Sequence, residues 1–124
     1  LRDMGINTAV VTSSTLAKMK NVFRTLPRFA QAVDTLVTDE DVTASKPDPQ
    51  GYLIAARRLG AGAGEFIVVE DSMAGLEAGR RSGAFVAGIA TTNPMEAVRP
   101  ACDLAVDAIA DITPQILAEA FQAR

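Results

Sequence analysis

Three polar clusters in this 124-residue chain carry side chains able to do chemistry, and the absence of histidine limits what that chemistry is. Without an imidazole, Ser-His-Asp and Cys-His mechanisms and His-ligated zinc are excluded, leaving carboxylates, hydroxyls, Lys, Arg and backbone groups. Thr12-Ser13-Ser14 follows an apolar, β-branched run, and hydroxyls and amides at a strand-to-helix turn can hold an anion. Lys46 stands directly before Pro47-Asp48-Pro49, where two prolines restrict the backbone. An ammonium held there can neutralise a phosphate oxygen and stabilise charge in a transition state. Glu70-Asp71 ends the apolar run Phe66-Ile67-Val68-Val69. Two adjacent carboxylates at the end of a buried strand call for a cation. Oxygen ligands select a hard ion such as Mg²⁺, which takes one or two protein carboxylates and fills its other positions with water and phosphate. Each cluster also has a plainer alternative: Ser13 or Ser14 capping a helix, Lys46 solvated in a loop, Asp71 as an N-cap with Glu70 exposed.

The elements that must position these residues are legible as periodic apolar runs. Short strands are expected at 8–11, 33–37, 66–69, 85–89 and 104–106. Between them, helical spacing runs from Leu16 to Leu26 with Pro27 as a stop, and from Pro49 to Leu59 with Asp48 as cap and Gly60 as stop. Further helices are expected at 73–82, 94–99 and 114–121, and Leu1–Met4 reads as the last turn of another. Such alternation predicts an α/β fold with a parallel sheet covered by helices on both faces. Ligands in these folds bind where strands end and helices begin. Gly75 and Gly79, four residues apart, predict a helix face packed closely on the sheet, since mid-helix glycine otherwise costs about 1 kcal/mol.

Composition narrows the function. Fifteen acidic and twelve basic residues give a net charge of −3, and the bases are scattered, which argues against nucleic-acid binding. The single cysteine, Cys102, allows no intrachain disulfide and fits a reducing, cytoplasmic setting. No apolar run approaches the roughly 18–20 residues needed to cross a bilayer, so no membrane partner is expected. The glycines at 60, 62 and 64 precede a strand rather than follow one, so they do not form a dinucleotide-binding turn.

In their order along the chain, AVVTSS at 9–14, SKPDP at 45–49 and IVVEDSMAGLEAGRRSGAFVAGI at 67–89 resemble the haloacid dehalogenase-like (HAD) hydrolase superfamily. The likeness is greatest to its β-phosphoglucomutase and sugar-phosphate phosphatase branch. The resemblance implies a Rossmann-like, three-layer α/β/α core and a Mg²⁺ cofactor. Ser13, helped by the amide of Ser14, would bind the transferring phosphoryl group. Lys46 would bind the phosphoryl group and the nucleophile, Asp71 would be a metal ligand, and its acidic neighbour Glu70 a direct or water-mediated one. The implied activity is a phosphatase acting on a small phosphorylated metabolite, a sugar phosphate, through an aspartyl-phosphate. A phosphomutase and a non-catalytic phosphate-binding module are the alternatives. The family's Asp-x-Asp motif has no match: Asp39-Glu40-Asp41 lies in a polar stretch, 38–45, expected as a loop without a preceding strand. Residues 1–124 are therefore expected to be the C-terminal portion of a core domain. On this reading the core is incomplete, its first strand and cap domain absent and its nucleophile upstream. The chain is expected to be inactive alone, and the intact protein monomeric.

Overall fold

The computed structural model describes residues 5–62 and 64–123. Within them, β-branched runs form parallel strands and apolar stripes form the helices that cover them. β1 (Ala9–Val11) pairs with β2 (Thr35–Val37), with Val10 opposite Leu36. β3 (Ile67–Glu70), β4 (Phe85–Ile89) and β5 (Leu104–Val106) pair in that order, with Val68 opposite Val86. β4 is buried along its whole length, as a strand paired on both edges and covered on both faces must be.

The helices are α1 (Leu16–Thr25), α2 (Pro27–Ala32), α3 (Gln50–Leu59), α4 (Met73–Arg81), α5 (Met95–Val98) and α6 (Pro114–Ala123). α3 lies against β1 and β2, and α4 against β3 and β4. Val68 and Val86 face α4, and side chains alternate along a strand, so Phe85 faces the opposite layer. There its ring meets Phe121 of α6 at 5.9 Å. A Cβ at Gly79 would sit 3.0 Å from Val68 Cγ1 and 3.1 Å from Val86 Cγ2. This is the close helix-on-sheet contact that the glycine spacing predicts.

Two apolar clusters hold the layers together. Leu76, Val86 and Val98 form one, and Tyr52, Val68, Ala78 and Ala84 the other. Burying a side chain such as Leu76, which is 0% exposed, contributes roughly 1.5–3 kcal/mol. Cys102 packs beside the first cluster, its thiol donating to Val98 O, and burial pushes its pKa up. Val11 of β1 packs against the second cluster, so one apolar mass joins both strand ladders.

That joining corrects the expectation of a core left incomplete by a missing first strand and cap. The first strand is Ala9–Val11, in register with β2, continued by Thr12 N–H donating to Val37 O at 2.9 Å. The described residues build a Rossmann-like α/β/α core around it. Smaller differences have local causes. Pro27 opens α2 at a helix N-terminus, where its missing N–H is harmless, besides ending α1. Val33 closes α2, which shortens the second strand to Thr35–Val37. This strand runs into a 3₁₀ turn at Asp39–Asp41, in the stretch expected as loop. The helix turn read at Leu1–Met4 lies outside the described residues. No helix among the described residues is long and apolar enough to cross a membrane.

Candidate active site

The helix caps remove the plainer alternative for two of the three clusters. α1 is capped by Thr15, whose hydroxyl accepts from Lys18 N–H, and not by Ser13 or Ser14. α4 is capped by Ser72, whose hydroxyl accepts from Gly75 N–H at 3.0 Å, and not by Asp71. Ser13 and Asp71 are thereby left at strand ends, on the wall of a cavity of about 460 Å³ that Lys46 and Glu70 also line. Four residues spread over 59 positions thus meet at the C-terminal ends of β1 and β3. Ser14 is not on this wall: its N–H donates to Thr12 Oγ1 at 3.1 Å.

Lys46 is not a solvated loop lysine. Its Nζ donates to Val11 O at 3.2 Å, at the end of β1, and to Glu70 Oε2 at 2.9 Å, at the end of β3. The Lys46–Pro47 peptide is cis, and in the turn that follows Asp48 Oδ1 accepts from Gln50 N–H at 2.9 Å. α3 therefore begins one residue later than the sequence suggests, with Asp48 still serving its first amide.

Glu70 is the most heavily bonded group in the cavity. Oε2 accepts from Lys46 and from the Tyr52 hydroxyl at 2.5 Å; Oε1 accepts from Asp71 N–H, Ser72 N–H and the Ser72 hydroxyl. Its side chain is 11% exposed. Burial opposes ionisation, but the Tyr52 and Lys46 hydrogen bonds and the Lys46 charge outweigh it and pull the pKa down to about 2. The opposite holds for Tyr52: burial, then the adjacent Glu70 carboxylate, push its phenol above the ordinary value. A Cβ at Gly75 would fall 2.0 Å from Glu70 Cδ, so the Glu70 carboxylate can lie against the first turn of α4 only because residue 75 lacks a side chain.

Asp71 faces the cavity in a different state. Thr92 Oγ1 donates to its Oδ2 at 2.6 Å and Asn93 Nδ2 to its carbonyl at 3.3 Å, while no hydrogen bond among the described residues engages Oδ1. One carboxylate with an open oxygen suits Mg²⁺, which needs only one or two from protein. Glu70 does not suit direct ligation in this arrangement, because five donors saturate both of its oxygens. No group of three or more His, Cys, Asp or Glu is placed to hold a metal among the described residues.

Several participants escape the sequence. Tyr52 sits in the apolar stripe of α3 and reads there as packing; its signal is a phenol hydroxyl buried at 8% exposure, which requires a partner. Thr92 and Asn93, which orient Asp71, follow β4 in a short polar stretch with no distinguishing pattern. The acidic stretch Asp39-Glu40-Asp41 does follow a strand, but two of its members are structural. Glu40 accepts from Leu16 N–H at the start of α1, and Asp41 pairs with Arg58 at 3.3 Å. Asp39 lines the cavity.

Known proteins share sequence and fold with this chain. The model of the haloacid dehalogenase-like hydrolases matches residues 1–83. The validoxylamine A 7'-phosphate phosphatase of Streptomyces hygroscopicus subsp. limoneus is 38% identical over 101 residues, 82% of this chain and 47% of that protein. The chain thus spans about half the length of such relatives. The crystal structure of a putative β-phosphoglucomutase from Thermotoga maritima superposes with a TM-score of 0.78 at 27% identity, covering 95% of this chain and 55% of that one. That of a HAD hydrolase of family IA, variant 3, from Entamoeba histolytica gives 0.84 at 23% identity, covering 98% and 56%. Superposition over nearly every residue supports the corrected fold, with Ala9–Val11 as its first strand. Members of this superfamily generally use Mg²⁺. The motifs at 9–14, 45–49 and 67–89, the α/β/α core and the match over residues 1–83 together place the chain in the haloacid dehalogenase-like hydrolase family.

Proposed function

We propose that this chain supplies the phosphoryl-binding wall of a cytoplasmic, Mg²⁺-dependent phosphatase that acts on a small phosphorylated metabolite of the sugar-phosphate class. The observation that carries this reading is the convergence of Ser13, Lys46 and Asp71 on one cavity at the strand ends. The Ser13 hydroxyl donates to one phosphoryl oxygen, and Lys46 has a third N–H for another, since Val11 and Glu70 take two. Asp71 offers its open oxygen to the metal. When bound, Mg²⁺ neutralises charge between an anionic nucleophile and an anionic phosphate. Glu70 serves as the counter-ion that holds Lys46, and not as a direct ligand. The nucleophile is an aspartate outside these 124 residues: its carboxylate oxygen bonds to phosphorus as the alcohol oxygen leaves, and water then cleaves the aspartyl-phosphate. The name of the 38%-identical relative, a validoxylamine A 7'-phosphate phosphatase, supports a phosphorylated substrate.

Calorimetric titration of inorganic phosphate into the chain tests the reading. We expect binding that Mg²⁺ strengthens and that Lys46→Met weakens by about tenfold or more. Binding indifferent to Lys46→Met, or none at all, refutes it. Release of phosphate from sugar phosphates by the chain alone would show the nucleophile to be one of its own residues. The likeness to a putative β-phosphoglucomutase favours one second reading, a phosphomutase. Conversion of β-glucose 1-phosphate to the 6-phosphate by the parent protein, without phosphate release, would select it.

A further inference from the structure

The Tyr52 hydroxyl lies beyond the roles assigned so far. It is the buried phenol of an otherwise apolar helix stripe, and it touches both members of the Lys46–Glu70 pair. Its hydroxyl donates at 2.5 Å to Glu70 Oε2, the same oxygen that accepts from Lys46 Nζ at 2.9 Å. Its ring lies under the same ammonium, with Nζ 5.0 Å from the ring centroid, within range of a cation–π attraction. The platform beneath is tight. A Cβ on the preceding residue, Gly51, would sit 2.8 Å from Val11 Cγ1, so α3 presses directly on the strand whose last carbonyl also binds Lys46.

We propose that Tyr52 is a positioning residue: acting through Glu70 and its own ring, it fixes the Lys46 ammonium at the end of β1, so that the third N–H of that ammonium is presented to an anionic oxygen in the cavity. Packing alone does not require the hydroxyl, because phenylalanine fills the same volume. Held by Glu70 without Tyr52, the carboxylate has a free lone pair and more room to rotate, and the ammonium follows it. The proposal deepens the phosphoryl-binding reading of the cavity and rests on it for its functional consequence, though the positioning itself is testable without ligand.

The test is Tyr52→Phe in the full chain, read in two ways. Lys46 is one of three lysines, with Lys18 and Lys20, so its side-chain ammonium signal is resolvable by NMR in ¹⁵N-labelled protein. We expect that signal to shift and exchange faster in Tyr52→Phe while those of Lys18 and Lys20 stay in place. An unmoved Lys46 signal overturns the proposal outright. The second reading is inorganic phosphate affinity, which should fall about five- to tenfold in Tyr52→Phe. It should fall no further when Tyr52→Phe is added to Lys46→Met. Additive losses in the double variant would mean that Tyr52 does not act through Lys46, and would overturn the proposal. A Lys46 signal that moves in a chain that binds no phosphate supports the positioning and removes the functional reading instead.

Discussion

Replacing Gly75 by alanine tests the architecture of the cavity with a sign opposite to the usual one. Gly→Ala inside a helix normally stabilises, by about 1 kcal/mol. Here the new methyl would lie 2.0 Å from Glu70 Cδ and 2.1 Å from Oε2, so the carboxylate must leave its place. Leaving means giving up Lys46, Tyr52 and the amides of Asp71 and Ser72. The fall of the Glu70 pKa from 4.5 to about 2 is what remains after burial opposes and those partners favour the ionised form, a net gain on the order of 3 kcal/mol for so shielded a side chain. Set against the alanine preference, the net effect at pH 7 is a loss of about 2 kcal/mol, or roughly 5–10 °C in melting temperature for a chain of this size. Because the folded-state pKa is depressed, this stabilisation is present in full above the unfolded value near 4.5 and is lost as pH falls towards 2. Thermal melts of Gly75→Ala and its parent from pH 7 down to 2.5 should therefore show a gap that closes on acidification. A variant that melts at or above the parent at pH 7, or a gap that stays constant through the acid range, refutes the placement of Glu70.

Three further outcomes follow from other parts of the molecule. Asp71→Asn should leave phosphate binding without Mg²⁺ within about twofold and abolish the strengthening by Mg²⁺ in the same titration, because it removes the open carboxylate oxygen and keeps the Thr92 contact. Gly88→Ala should cost about 1–3 kcal/mol in urea denaturation, since its Cβ would lie 2.7 Å from Val98 Cγ1, 2.9 Å from Cys102 Sγ and 3.2 Å from Leu76 Cδ2 in the packed interior. Thr15→Ala should lower the melting temperature through loss of the α1 cap, about 1 kcal/mol, and leave phosphate affinity unchanged.

The convergence of Ser13, Lys46, Glu70 and Asp71 was legible because parallel strands bring their C-terminal ends to one side, whatever the sequence distance between them. What each side chain does on arrival was not. Glu70-Asp71 reads as a metal pair, since adjacent carboxylates look equivalent along a chain. The two differ in three dimensions because the gap above Gly75 lets one of them reach Lys46 and Tyr52, 24 and 18 residues away. Tyr52 is hidden for a related reason: at helical spacing with Ala55, Ala56 and Leu59 its ring looks like core, and the partner of its hydroxyl depends on how α3 is rotated over β1. Pro27 reads as a stop because it ends the apolar spacing of α1, and that same residue fits the first position of α2. Which strands sit side by side is likewise set by packing, through contacts such as Val11 against the cluster of Val68 and Ala78, which no local pattern announces.

The position of Tyr52 also makes the molecule its own optical probe. The chain contains one tyrosine and no tryptophan, so its ultraviolet emission above that of phenylalanine comes from a single ring on the cavity wall. A carboxylate accepting a hydrogen bond from that phenol quenches its fluorescence. Any ligand that draws Glu70 away will thus brighten the protein, and occupancy can be followed without a label.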